Sequence, residues 1–159
     1  MKKFLNAALL LAFIATFTGC VKDNEPSGNA DIASFTQPIH ANDWLVDGIA
    51  GKPGYQYYSR FDVPEITQRV MDLGTVMVYK QENSLFYPLP VSTSYAGYVS
   101  TIQYNVYLGM IEIFIEDTDF LTDPPADMNF KVVVFNQLKS LPVSLDIKNY
   151  KQVEAYMGK

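Results

Sequence analysis

"YVSTIQYNVYLGMIEIFIE", residues 98–116, alternates in parity on both sides of a single glycine. Tyr98, Ile102, Tyr104, Val106 and Leu108 fall on one parity, with Val99, Thr101, Gln103, Asn105 and Tyr107 on the other. Past Gly109, Ile111, Ile113 and Ile115 share one parity, and Glu112 and Glu116 take the opposite one. A period of two sends successive side chains to opposite faces of a strand. Gly109 stands where a tight turn needs a residue able to take positive φ. The stretch predicts an antiparallel hairpin with one buried face, and so a protein built from sheet.

Working outward, "TVMVYK" (75–80) and "NFKVVVF" (129–135) are apolar at nearly every position, the pattern of strands covered on both faces. "SFTQPIHA" (34–41), "DWLV" (43–46) and "YQYYSRF" (55–61) are shorter alternating runs, the last with Tyr on both faces so that its inward side is open. "LFYPLPV" (85–91) carries Pro88 and Pro90, which cannot donate to a ladder and place it at an edge or in a loop. The pattern predicts seven or eight short strands and two short helices. The fold class expected is all-β, an antiparallel β-sandwich of Ig-like or jelly-roll-like kind.

The first helix is expected within "FDVPEITQRVMDLGTVMVY" (61–79). Pro64 suits a first turn, Asp62 could cap it, Glu65 favours a helix start, and Gly74 would end it. Asp62 and Glu65 also have the spacing of an acid–base pair, but capping accounts for both residues without chemistry. The second helix is expected in "IKNYKQVEAYMGK" (147–159), with Asn149 as N-cap, Val153 and Met157 on one face, and Gly158 as the stop.

The chain begins "MKKFLNAALLLAFIATFTGC". Two lysines, an apolar run and a small residue before Cys20 have the form of a secretory signal, too short for a lasting transmembrane helix. "FTGC" resembles the bacterial lipoprotein cleavage box, in which the cysteine becomes the first mature residue and is acylated. Cys20 is the only cysteine of the chain. Two or more acyl chains anchor stably, at about 0.8 kcal/mol per buried CH₂. Val21 in place of Asp resembles lipoproteins that leave the inner membrane, and "KDNE" (22–25) resembles a surface-export signal of Bacteroidetes lipoproteins. The organisation expected is a signal at 1–19, a lipidated Cys20 and flexible tether at 20–33, and a β-sandwich domain at 34–159.

Residues 1–19 hold two lysines and no acid, so the remaining 140 residues carry ten bases against 17 acids, a formal charge of −7. That balance, without a basic cluster, argues against nucleic acid and against docking on anionic lipid headgroups. No disulfide can form within the chain, so stability rests on the core, to which 11 Tyr and the seven Phe beyond residue 19 can contribute.

The succession "DW…YQYYSRFDVPEITQRVMDLGTVMVY", "FYPLP", a Tyr-rich hairpin and "FKVVV" resembles a family of small lipoproteins of Bacteroidetes. The likeness covers roughly residues 43–157. It includes "VPEIT" before a short helix, an aromatic before "PLP", and the ending "DIKNYKQVEAYMG". Several members carry collagen-like Gly-x-y repeats between the lipid cysteine and this domain, and this chain lacks them. The resemblance implies an outer-membrane or cell-surface location and the β-domain, and it supplies no catalytic residues.

Three constellations bear on function. The acids Glu116, Asp117, Asp119, Asp123 and Asp127 could supply oxygens to calcium, although Pro124 and Pro125 stiffen the loop and a solvated loop explains its composition. His40 is the only histidine, and with no cysteine partner it makes a poor zinc ligand set. No nucleophile with a visible base and no phosphate-binding loop is found, so the chain reads as non-enzymatic, without cofactor or metal. The third constellation is aromatic: Trp44, Tyr58, Phe86, Tyr87, Tyr95 and Tyr107 lie in expected loops or on the poorer strand faces. Exposed rings of this kind serve sandwich modules that bind glycans or envelope proteins, while Trp44 is also the ring best suited to a core. The expectation is a lipid-anchored interaction or structural module of the cell envelope, with glycan or protein binding as the alternative.

Overall fold

Two kinds of strand recur in this chain, those apolar at alternate positions and those apolar throughout, and the latter form the centre of one sheet. The computed structural model describes residues 32–158. The signal, Cys20 and most of the expected tether lie outside those residues. The strands are β1 (Ile32–Ile39), β2 (Leu45–Asp47), β3 (Gln56–Asp62), β4 (Thr75–Glu82), β5 (Leu85–Pro88), β6 (Val91–Ser94), β7 (Val99–Tyr107), β8 (Met110–Asp117) and β9 (Met128–Phe135). The helices are α1 (Gln68–Leu73) and α2 (Tyr150–Met157). One antiparallel sheet has the order β1-β9-β4-β5 and the other β2-β3-β8-β7-β6. The chain is an all-β sandwich.

The opening hairpin forms as its alternation predicts: Tyr107 pairs with Met110, and Gly109 turns at φ 73°. Ile102, Ile111, Ile113 and Ile115 face the other sheet and meet Ile39, Val76, Val78, Phe130, Val132 and Val134 there. Leu108 departs from the pattern, since it belongs to the turn and is exposed. β4 and β9 have a second buried face. Met77, Tyr79, Val133 and Phe135 pack under Tyr150 and Val153 of α2, with Leu141, Ile147 and Phe86 at the margin. The C-terminal segment thus adds a third layer, which is why "TVMVY" and "FKVVVF" show no polar parity. Fully burying side chains of this size contributes about 1.5–3 kcal/mol each. The Tyr79 hydroxyl donates to the Ile147 carbonyl and so satisfies the polar tip of a buried ring.

The structure has nine strands among the described residues, against seven or eight expected. The prolines account for one of them. They interrupt "LFYPLPV", so the chain leaves β5 at one sheet's edge and enters β6 at the edge of the other. β1 begins at Ile32, two residues before the expected domain boundary.

The first helix is shorter than expected. Val63–Ile66 form a turn with Pro64 in its second position, closed by the Ile66 amide donating to the Val63 carbonyl at 2.9 Å. Val63 and Ile66 are fully buried, and the Gly109 turn bonds to both sides of this corner: Val63 N to Gly109 O at 2.8 Å and Gly109 N to Ile66 O at 2.9 Å. These tertiary bonds hold the corner out of helix. The cap is therefore Thr67, whose side chain accepts from the Val70 amide, and not Asp62, which ends β3. Gly74 ends α1 with an extended backbone and no positive φ. Its need for glycine is steric, because a Cβ there would meet the Phe135 carbonyl oxygen at 2.1 Å. At α2, Asn149 holds the N-cap position, but its side chain makes no capping hydrogen bond.

Candidate functional site

The registers define two ends of the sandwich. Ile32, Phe135 and Thr75 lie in one cross-strand row, beside Gly74, α1 and the Gly109 turn. At the opposite end are the loop from β2 to β3, the β6–β7 turn and the loop from β8 to β9. Those three loops are bonded into one surface. The Gly51 amide donates to the Phe120 carbonyl at 2.7 Å, and the Thr118 amide to the Val99 carbonyl at 3.0 Å. The Val99 amide in turn donates to Thr118 Oγ1 at 2.9 Å. Thr122, itself buried, accepts from the Asp117 amide at 3.1 Å.

Tyrosines and acids cover this end. Tyr95 stacks on Tyr98 with centroids 4.9 Å apart and planes at 18°, and it leaves 54% of its surface in solvent. Tyr55 meets Tyr57 edge-on at 6.1 Å. The Tyr98 hydroxyl is held above its ordinary pKa, first by loss of water and then by Asp117, Tyr95, Asp119 and Asp123. Those carboxylates therefore lie within electrostatic reach of one ring.

The acids of 116–127 nevertheless divide into separate tasks. Asp119 accepts from the Leu121 amide at 3.0 Å and shapes the turn. Asp127 accepts from the Ala41 amide at 2.8 Å and meets His40 Nδ1 at 3.2 Å. Those two contacts, in that order, hold its carboxyl below the usual range. Asp117 is 5% exposed, and its Oδ1 is buried without a hydrogen-bond partner. Among the described residues no three carboxylate, histidine or cysteine side chains converge as a metal cage would require.

A cleft of about 290 Å³ opens beside the β8 end, lined by Thr101, Gln103, Glu116, Asp117, Thr118 and Phe120. Phe120 adopts φ 60°, a left-handed conformation that costs a bulky residue about 1–2 kcal/mol. Its amide donates to the Asp117 carbonyl at 2.9 Å, and its carbonyl receives Gly51, so neighbouring backbone imposes the conformation.

The six aromatics singled out in the sequence do not form one patch. Trp44 is buried in the inner core and leaves the binding set, although its indole Nε1 has no partner there. Phe86 packs against Tyr150 with centroids 4.1 Å apart. Tyr87 is exposed on β5 and lines a second cleft, of about 340 Å³, between the β4–β5 turn and the start of α2. Tyr58 lies on the outer face of the five-stranded sheet under the Arg60 guanidinium, 4.8 Å from the ring centre. Arg60 pairs with the buried Glu112, which also accepts from Asn105 at 3.1 Å. Tyr107 is exposed on the same sheet at the β7–β8 turn, and Tyr95 is exposed at the opposite end of β7. The nine residues of β7 run between those two rings, which at about 3.4 Å per residue keeps them far apart.

Comparison of the chain with protein-family models, with curated proteins and with solved structures finds no match. The loop end is therefore the candidate site. Sequence reasoning found Tyr95 and the acids there but missed Phe120, Tyr98, Thr118 and Gln103. The cue available for Phe120 was its place as the one aromatic among the acids of 116–127.

Proposed function

We propose that this chain is a non-enzymatic, lipid-anchored module of the bacterial cell envelope, held through Cys20 at the outer membrane, that presents its loop end to a partner. One observation carries the reading: β1 is entered at Ile32, at the end of the sandwich opposite the tyrosine- and acid-bearing loops. An anchor on Cys20 would place those loops on the side of the domain away from the lipid. The lipoprotein box at Cys20 and the likeness to small Bacteroidetes lipoproteins support the location. No helix among the described residues is long and apolar enough to cross a membrane.

The chemistry of the surface supports a binding role over a reaction. Among the described residues the side-chain partner of the His40 ring is the Asp127 carboxylate, and no hydroxyl or thiol is set against that ring. A nucleophile–base pair needs that contact.

Membrane fractionation tests the anchoring. Cys20→Ser should move the protein from the membrane fraction to the soluble or signal-retaining fraction, with the domain still folded by circular dichroism. A Cys20→Ser chain that is processed and stays at the membrane like its parent would contradict the proposal.

A further inference from the structure

The cleft at the β8 end combines an aromatic wall with an acceptor-rich lining. We infer that it is a subsite for a neutral saccharide. The inference rests on the reading of the loop end as the presenting surface and names the ligand class for it.

The lining selects the class by exclusion and by fit. Glu116 and Asp117 contribute carboxylates and no lining residue carries positive charge, so anions are repelled. Calcium needs six to eight oxygens, and no three acidic or histidine side chains converge among the described residues. Thr101, Gln103 and Thr118 add hydroxyls and an amide, which both donate and accept. Hydroxyl groups bonded to carboxylates make short, strong hydrogen bonds. Phe120 supplies the flat apolar surface against which the C–H face of a sugar ring packs. The volume of about 290 Å³ suits one or two sugar units.

Two further observations mark the place as built. Phe120 is held at φ 60°, where strain in a bulky residue concentrates at ligand clamps. The adjoining Thr118–Val99 and Gly51–Phe120 bonds fix the lining before any ligand arrives, which lowers the ordering cost of binding.

The test uses the full-length protein extracted in a detergent without a sugar headgroup. It is applied to an array of neutral hexose and N-acetylhexosamine oligosaccharides, and the best binder is then titrated by calorimetry. Calcium chloride and oligolysine are run beside it. The expected result is binding of at least one neutral oligosaccharide, weakened roughly tenfold or more in Glu116→Gln and Gln103→Ala at unchanged near-UV circular dichroism. Phe120→Ala should weaken it too. Both polar variants lie on exposed or half-exposed surface, so the test stands even if Phe120→Ala does not fold. Three results would overturn the inference: no oligosaccharide binds, only calcium or oligolysine binds, or both polar variants bind the oligosaccharide as tightly as the parent. The Cys20→Ser fractionation is read independently, so failure of the subsite is distinguishable from failure of the anchoring.

Discussion

The Gly51 amide and the Phe120 carbonyl meet at 2.7 Å, although the two residues belong to loops that leave different strands. That bond holds the β2–β3 and β8–β9 loops together at Phe120, which lines the cleft. The loop end is thereby a shaped surface, and its shape depends on a few backbone contacts.

The closest backbone approach lies at the other end. Gly74→Ala would set a methyl group 2.1 Å from the Phe135 carbonyl and 3.0 Å from that of Val70. Neither backbone group can yield without disturbing β9 or α1. The expected cost is about 3 kcal/mol or more, read as a lowered urea midpoint or as insoluble expression.

The C-terminal layer should be essential to solubility. Val153 is fully buried against the outer face of β4 and β9. Val153→Asp would place a carboxylate there without a partner, at a cost of several kcal/mol, about as much as losing a buried ion-pair partner. The expected outcome is an aggregating protein with dye-accessible apolar surface. Phe135→Ala should cost about 3–5 kcal/mol through the cavity it leaves.

Helix capping separates the residues at the first corner. Thr67→Ala removes the acceptor of the Val70 amide and should destabilise by about 1 kcal/mol. Asp62→Ala and Glu65→Ala remove no cap and should change stability by about 0.5 kcal/mol or less. Denaturant titration of the three variants gives the order directly.

Alkaline pH should unfold the protein from within. Burial pushes the Tyr79 and Tyr104 hydroxyls above the ordinary tyrosine value, and Tyr104 donates to the Val76 carbonyl across the sandwich at 2.9 Å. In the unfolded chain these groups lose their protons near pH 10. Their folded values are raised, so their contribution is whole below about pH 10 and is lost as pH rises toward the folded values. Urea midpoints should hold steady through about pH 9 and then fall, with tyrosinate absorbance rising in step with unfolding. Tyr104→Phe should cost about 1 kcal/mol near neutrality, for the lost hydrogen bond, and should flatten the alkaline decline.

Much of the scaffold was legible because it follows local periodicity. The parity of residues 98–116 gave the hairpin, and the unbroken apolar runs at 75–80 and 129–135 anticipated strands covered on both faces. What a pattern of two could not show was the origin of the second cover, α2 and the segment before it, since that packing joins residues from about twenty to about seventy positions apart. The α1 boundary misread Pro64 because Val63 and Ile66 are held by the Gly109 turn, a contact with no local signature. The site was less legible still. Phe86 looks like a free ring in sequence and is packed in structure, and Trp44 takes the core place its ring suited, while Phe120 and Asp117 gain their character from loops that meet only in the fold.

The central claim is that Cys20 carries the lipid that anchors the domain from its Ile32 end, opposite the loop end. Mass spectrometry of the native protein purified from membranes reads this directly. The account predicts an N-terminal peptide beginning at Cys20 and bearing a diacylglyceryl group with a further N-acyl chain. A chain that keeps residues 1–19, begins elsewhere, or carries an unmodified Cys20 would contradict it.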